Sequence, residues 1–396
     1  MIHDFNCILG IVSINKCTKI VNQANQIMKI ALVHDYLVQN GGAERVLKCL
    51  TEIWPDAPIY VIVYDKKRCL GFEDKKIKTS FLQKIPGAKK YHRLFPFLMM
   101  NAIEEFNFNE YDIVLSDSSS FAKNIITSPR TLHLCYCHTP MRYAWDDCQY
   151  YTQEFGFPSW LKKIVPFLMN YMRVWDHSST NGVDFFIANS KFVRGRIKKY
   201  YQRNSIVINP PVQIDNFYLT PKEKLKDYFL ITGRMMKYKK MDLVIEVFNE
   251  IKMPLKIIGQ GVEYKNLKKI AGPTIEFLGK VSEKKLRRTY SEAQAFIFPQ
   301  EEDFGIVAIE ALASGRPVIA YKAGDIVEHI EENKTGIFFE KQNKESLKKA
   351  IKRFRETDFD SKYIRKTVLA FSENSFKVKI EKEVLKNYKK FKETVI

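Results

Sequence analysis

Short apolar runs alternate with longer segments of helical period along almost the whole chain, and the pattern occurs twice. Residues 30–33, 58–63, 113–116, 132–136, 185–188 and 205–208 read as strands, with helices such as 43–53 and 191–201 between them. The second set of strands is 228–232, 255–258, 275–278, 295–298 and 317–320, and helices are expected at 241–251, 263–270, 283–292 and 307–313. These strands are apolar at successive positions, so both of their faces are covered. Alternation with helices then makes the sheets parallel and the domains doubly wound α/β.

Size and composition agree with two such domains. At about 150 residues per domain, 396 residues allow two or three. Hydrophobic residues at 45% and aromatics at 13% fill full cores and exclude a disordered chain. Asn209-Pro210-Pro211 stops a strand, and 213–226 is polar without clear period. Two prolines in a row cannot continue a helix. The expected division is a first domain over 28–212, a linker over 213–226, a second domain over 227–375, and a basic amphipathic helix over 376–396 returning to the first domain. Two α/β domains joined this way leave a cleft between the carboxyl ends of two sheets, where ligands of open α/β folds bind. Residues 1–27 precede the first strand and read as a non-native or disordered extension. Their apolar run is too short to span a bilayer and has no cation before it.

Lys and Arg number 64 against 45 Asp and Glu, a formal charge of +19. That excess calls for an acidic partner: nucleic acid, nucleotide phosphates or an anionic membrane. A nucleic-acid binder also needs aromatic stacking platforms or a groove-reading element, and neither is found. The seven cysteines are odd in number and form no C-x-x-C pair, which suits a reducing compartment. Cys135-x-Cys137-His138 lies inside an apolar strand without a second ligand pair, and reads as buried thiols rather than zinc ligands.

Four constellations sit at strand ends. The loop after the first strand carries Gly41-Gly42-Ala43-Glu44 at a helix start. Such a turn serves equally as a tight reversal or as a place where amides approach a phosphate; no G-K-[ST] follows, so it is not a P-loop. Gly233-Arg234 with Lys237, Lys239 and Lys240 follows a strand, and is either a solvated basic turn or a diphosphate site. Gly259-Gln260-Gly261 fails as a dinucleotide fingerprint, because Tyr264 stands where the third glycine belongs. The sharpest run is Phe298 through Val318: Glu302 in a loop, a helix start near Gly305 with free amides around Phe304–Val307, and Glu310 within two turns. Two carboxylates and an anion hole at one strand end suit a ligand with both hydroxyls and phosphates; an acidic capping cluster is the plainer reading.

That run resembles the Glu-x7-Glu motif of retaining GT-B glycosyltransferases of family four, with Glu302 and Glu310 at its two glutamates. The resemblance runs from Met28 to the end and takes in Gly41-Gly42, Asn189-Ser190, Asn209-Pro210-Pro211-Val212, Gly233-Arg234 and Phe277-Leu278-Gly279-x-Val281-Ser282. Tyr136-Cys137-His138-Thr139-Pro140-Met141-Arg142-Tyr143-Ala144-Trp145-Asp146 is similar to a narrower branch, the O-antigen-type mannosyltransferases that use GDP-mannose. The family implies a GT-B fold, two Rossmann-like domains facing each other across a cleft. It implies that Arg234 and Lys239 contact the donor diphosphate and that Glu310 binds the nucleotide ribose. Glu302 with Asp303, Phe304, Gly305 and Ile306 would surround the transferred sugar and its phosphates. Gly42 would approach the phosphates, backbone near Val281 the base, and His138 the sugar. Lys240 stands where other members often have Arg or Gly, and Gln300 where Ser is usual, which bears on sugar preference.

The implied activity is retaining hexosyl transfer, with mannose from GDP-mannose as the favoured donor, a UDP-sugar as the alternative and no metal required. Residues 75–93 hold seven cations and no acid, directly before Leu94-Phe95-Pro96-Phe97-Leu98. This is either a membrane-surface element or an ordinary exposed helix with a core-facing stripe. A lipid-linked glycan acceptor, a cytoplasmic or peripheral inner-membrane location and an anionic membrane partner fit the first reading. A nucleic-acid-binding protein is the remote alternative.

Overall fold

In each half of the chain, one strand pairs in parallel on both sides with strands that reach it by crossovers in opposite directions. The computed structural model describes residues 28–92, 95–146, 148 and 159–395; the expected extension at 1–27, and Arg93 and Leu94 of the basic segment, lie outside the described residues. The first sheet comprises β1 (Ile30–His34), β2 (Ile59–Val61), β3 (Ile77–Thr79), β4 (Ile113–Ser118), β5 (Leu132–Cys137), β6 (Phe185–Ala188) and β7 (Ser205–Val207). Its order is β3-β2-β1-β4-β5-β6-β7. The second comprises β8 (Phe229–Thr232), β9 (Leu255–Ile258), β10 (Ile275–Gly279), β11 (Phe296–Phe298), β12 (Val318–Tyr321) and β13 (Gly336–Phe339), ordered β10-β9-β8-β11-β12-β13. Both are doubly wound, and the order reverses at β1/β4 and at β8/β11.

Burial on both faces explains the continuous apolar runs. In the second sheet, Leu230, Phe296, Phe298, Val318 and Ala320 enter one core, while Phe229, Ile231, Ile297 and Ile319 enter another. Successive residues alternate between two cores, which is why these strands read as continuous apolar runs. Polar groups collect instead at the strand ends.

The chain forms two units: residues 1–188, 196–206 and 380–396 in the first, and 189–195 and 207–379 in the second. The stretch expected as a linker, 213–226, is not a free tether. Ile214 and Phe217 are buried in the second core, and the Arg365 guanidinium donates to the carbonyls of Ile214 and Phe217. The last part of the helix Glu373–Val395 belongs to the first unit, where the Tyr388 hydroxyl donates to Asp112.

Several elements lie outside the expected set. β3 and β13 are only three and four residues long, too short for a periodicity. The helix Ser159–Ser179 contains Pro166, which interrupts a sequence-based reading although the structure carries the helix through it. The helix Lys344–Arg355 starts at Asn343, whose side chain accepts from the Ser346 amide, and buries Leu347, Ala350 and Ile351.

A buried ion pair fixes the first unit beside β5. Lys123 Nζ lies 2.6 Å from Asp176 Oδ1, and both side chains are fully buried. Asp176 Oδ2 also accepts from Trp145 Nε1 at 2.8 Å and from the Tyr201 hydroxyl at 2.7 Å. Burial works against the charge on Lys123, but Asp176 raises its pKa above the usual lysine range. Removing one member strands the other in an apolar core, at about 3–5 kcal/mol. Asp176→Leu is therefore expected to lower the denaturation free energy by about that amount. The double change with Lys123→Met is expected to cost less than Asp176→Leu alone in the same urea titration.

Candidate active site

Each sheet gathers polar side chains where its strand order reverses, the place where ligands of open α/β sheets bind. In the second unit the loops after β8 and β11 form this place. Gly233 (φ 142) and Gly259 (φ 139) both need conformations that side chains rarely adopt. A Cβ on Gly259 would overlap the Gly233 carbonyl, and one on Gly261 the Met235 backbone. The Gly259-Gln260-Gly261 turn is thus a packing device. It lets Gly233 N donate to the Ile258 carbonyl at 3.0 Å and Met235 N to the Gln260 carbonyl at 2.9 Å, which anchors the loop carrying Arg234 and Lys239.

Arg234 is solvent-exposed on that loop. Lys239 is turned inward by Lys240, which adopts φ 51 between the short turn Lys237–Lys239 and the helix Met241–Ile251. A left-handed residue with a side chain costs roughly 1–2 kcal/mol, and glycine would be at ease there. Lys239 Nζ forms a close ion pair with Glu302 Oε1. The cation and the loop glutamate are therefore one unit in this structure.

The loop after β11 reverses at Gly305 (φ 77), where a Cβ would press on the Phe298 ring, and the helix Ile306–Ala313 begins at once. Ala308 N and Ile309 N donate to the Gly305 carbonyl at 2.9 and 3.4 Å, so of the first turn the amides of Ile306 and Val307 lie at the amino-terminal end of the helix. Gly324 (φ 76) packs under Glu302, and Asp325 N donates to the Glu302 carbonyl at 3.1 Å. Gln300 is buried; its Nε2 lies 3.5 Å from Glu302 Oε1, and its Oε1 has no protein partner.

Glu310, only 4% exposed, accepts from the Tyr290 hydroxyl at 3.2 Å, and that hydroxyl is 2.6 Å from Thr232 Oγ1 at the end of β8. Tyr290 and Thr232 therefore tie the carboxylate to the reversal point. No spacing in the sequence signals either residue, because the three come from different crossovers. Val281 is half-buried beside this core, after β10.

In the first unit, Glu44 reaches back so that its Oε2 accepts from Gly41 N at 2.7 Å. The helix Gly42–Ile53 follows, and the Gly41 amide is already committed to Glu44. His34, Asp117 and His138 stand at the ends of three adjacent strands. Asp117 Oδ2 is 2.9 Å from His34 Nδ1, and Asp117 Oδ1 is 2.6 Å from His138 Nε2. Burial works against a charge on His34, but Asp117 together with Glu44 and Asp35 raises its pKa to about 9. Burial would raise the Asp117 pKa, yet the two histidines hold it below the usual carboxylate range. Asp35, the residue after β1, accepts from Ser119 N, Ser119 Oγ, Phe121 N and Ala122 N at 2.6–2.8 Å. It pins the β1 and β4 loops together. Sequence reasoning finds only His138 in this group, as His34, Asp35 and Asp117 belong to no spaced motif.

Trp145 and Asp146 of the run from Tyr136 hold local structure. Trp145 donates to Asp176, and Asp146 Oδ2 pairs with Arg196 Nε at 2.7 Å. Cys135 and Cys137 are buried in β5. Among the described residues, no group of three or more His, Cys, Asp or Glu side chains is placed to hold a metal ion.

Because the folded pKa of His34 is raised, its pairing with Asp117 stabilises fully below its ordinary value of 6.5 and is lost as pH rises through about 9. The melting-temperature advantage of the wild type over His34→Gln is expected to shrink across that window in a thermal-shift series.

Residues 215–393 match the family described as Glycosyl transferases group 1. An uncharacterized glycosyltransferase of Methanocaldococcus jannaschii is 24% identical over 82% of this chain and 88% of its own length. The alpha-1,3/1,6-mannosyltransferase ALG2 of Candida glabrata is 23% identical over 76% of this chain and 78% of its own. The solved structure of Anabaena HepE in complex with UDP superposes with a TM-score of 0.67 at 15% identity, covering 91% of this chain and all of that one.

Proposed function

We infer that this chain, which has the GT-B fold and a group 1 glycosyl transferase match over residues 215–393, transfers a hexose from a nucleotide-sugar. Mannose from GDP-mannose is the favoured donor, and a lipid-linked or surface-polysaccharide glycan the acceptor. The observation that carries the reading is the convergence of Lys239, Glu302, the Gly305 reversal and Glu310 where the strand order of the second unit reverses. A cation, a helix amino terminus and a buried carboxylate match the phosphates and ribose of one nucleotide.

In the proposed reaction, the acceptor hydroxyl oxygen bonds to the anomeric carbon as the bond from that carbon to the diphosphate breaks. The hydroxyl proton passes to the departing diphosphate on the same face, so configuration is retained and mannose is delivered as an α-mannoside. Glu302 is committed to Lys239, which argues for the phosphate, and not this glutamate, as proton acceptor. Arg234, Lys239 and the amides from Asp303 to Ile306 stabilise the charge that develops on the leaving group. Glu310, oriented by Tyr290, takes the ribose. Backbone near Val281 meets the base, Gly42 approaches the phosphates, and His138 meets the sugar.

The mannose assignment draws on the run from Tyr136 to Asp146 and on the likeness to a mannosyltransferase. A UDP-sugar is the second reading, favoured by the likeness to a structure solved with UDP. Calorimetry in metal-free buffer, on protein starting at Met28, compares GDP, UDP, GDP-mannose and UDP-glucose. A guanine preference, weakened at least about 10-fold (~1.4 kcal/mol) by Arg234→Ala and by Glu310→Ala, is the expected result. A uridine preference discards the mannose assignment, and no binding by any of the four overturns the reading.

We also propose that the first unit rests on an anionic membrane, on the cytoplasmic face. Met99 and Met100 turn into the core, so the apolar run before Glu104 is only partly exposed. The exposed apolar surface lies on the helix Ser159–Ser179, where Ile164, Phe167, Tyr171 and Val174 share one side and Phe167 is 78% exposed. The Tyr171 ring is 5.8 Å from Phe97, which joins this side to the apolar run that follows the basic segment. Among the described residues, no helix is long and apolar enough to cross a membrane. At about 1 kcal/mol per cation, neutralising Lys84, Lys89 and Lys90 is expected to weaken binding to phosphatidylglycerol vesicles roughly 100-fold in flotation assays. Unchanged flotation counts against the membrane surface.

A further inference from the structure

We propose that Asp117 is a positioning residue for His138 and that His34 is the counter-cation that lets a buried carboxylate perform this task; this rests on His138 meeting the donor sugar. The sheet itself sets up the arrangement. His34 and Asp117 are register partners across β1 and β4. Asp117 is partnered by Tyr136 across β4 and β5, and His138 N donates to the Ser118 carbonyl at 2.8 Å. Three side chains of fixed chemistry therefore meet where the strand order reverses.

The Asp117 side chain is wholly buried, while 13% of the His138 side chain remains accessible. Each carboxylate oxygen serves a different imidazole. A buried carboxylate without compensation costs several kcal/mol, and an apolar residue would fill the same place with less penalty. The cluster is thus costly if it only holds the fold.

Charge counting assigns the roles. The titratable groups facing His34 are Asp117 from β4, Glu44 from the helix Gly42–Ile53, and Asp35 beside it. Tyr136 faces Asp117 from β5, and its ring packs edge-on against His138 at 5.2 Å. With three carboxylates around it, His34 carries a proton and matches the charge of Asp117. Asp117 Oδ1 then accepts from Nε2–H of His138, which fixes the ring and its tautomer. Nδ1 is the ring nitrogen left to accept from a sugar hydroxyl. His34 and Asp117 touch no substrate in this account; both act through His138.

A merely structural cluster would leave the tautomer of His138 open. Ring nitrogen NMR of the full chain, with His138 assigned by loss of its signal in His138→Gln, reads which ring nitrogen carries the proton. Nε2–H is expected in the wild type, and both Asp117→Asn and His34→Gln are expected to weaken that preference. The same variants are expected to lower kcat about 100-fold with the donor KM changed less than about threefold.

A His138 ring that keeps the same tautomer in both folded variants overturns the proposal, as does wild-type kcat in both. If Asp117→Asn does not fold, His34→Gln alone decides, by loss or retention of that tautomer. A wild type that turns over no donor defeats the glycosyl-transfer reading instead. The ring NMR still decides whether Asp117 and His34 set the state of His138.

Discussion

Each sheet depends on a parallel pairing that covers both of its faces. Leu230, Phe296 and Val318 point into one core and Phe229, Ile297 and Ile319 into another, and β8, β11 and β12 carry no charged side chain along their length. Charged and hydrogen-bonding groups are driven to the loops at the strand ends. Where the strand order reverses, the loops leave to opposite faces and a crevice opens between them. Arg234, Lys239 and Glu302 collect at β8/β11, and His34, Asp117 and His138 at β1/β4, for the same reason.

Close backbone approach is what makes those loops stiff. Gly259 and Gly261 bring their turn against the carbonyls after β8, and Gly324 does the same at the Glu302 backbone. In the first unit, buried ions replace glycines. Asp35 ties the β1 loop to the β4 loop through four hydrogen bonds, and Lys123–Asp176 anchors the next turn to Trp145 and Tyr201. Such networks cost desolvation, and they repay it only when every partner is present. The result is a set of loops whose polar side chains are held in place by the backbone and by buried partners.

Much of the fold was legible because the apolar runs are long and the glycines and prolines sit at their ends. β8, β9 and the helices Lys191–Tyr201, Met241–Ile251 and Glu283–Glu292 match their expected bounds to within a residue. Legibility failed where an element is too short or carries a misleading residue. β3 and β13 offer three and four residues, and Pro166 stands inside the helix Ser159–Ser179. Among site residues, Glu302 and Glu310 were visible because only seven residues of loop and helix separate them in one segment. Tyr290, Thr232, Asp35, Asp117 and His34 were not, since each acts through partners far away in the chain.

The sequence by itself determined the α/β class, the reversal loops and the glutamate pair. These follow from local periodicity, from backbone conformations only glycine tolerates, and from spacing within one segment. Tertiary structure alone decided that Lys239 pairs with Glu302, that Tyr290 holds Glu310, and that one buried carboxylate serves two histidines. The reason is physical. Hydrogen bonds and ion pairs act over about 3 Å, and only the register of parallel strands brings residues 34, 117 and 138 within that distance.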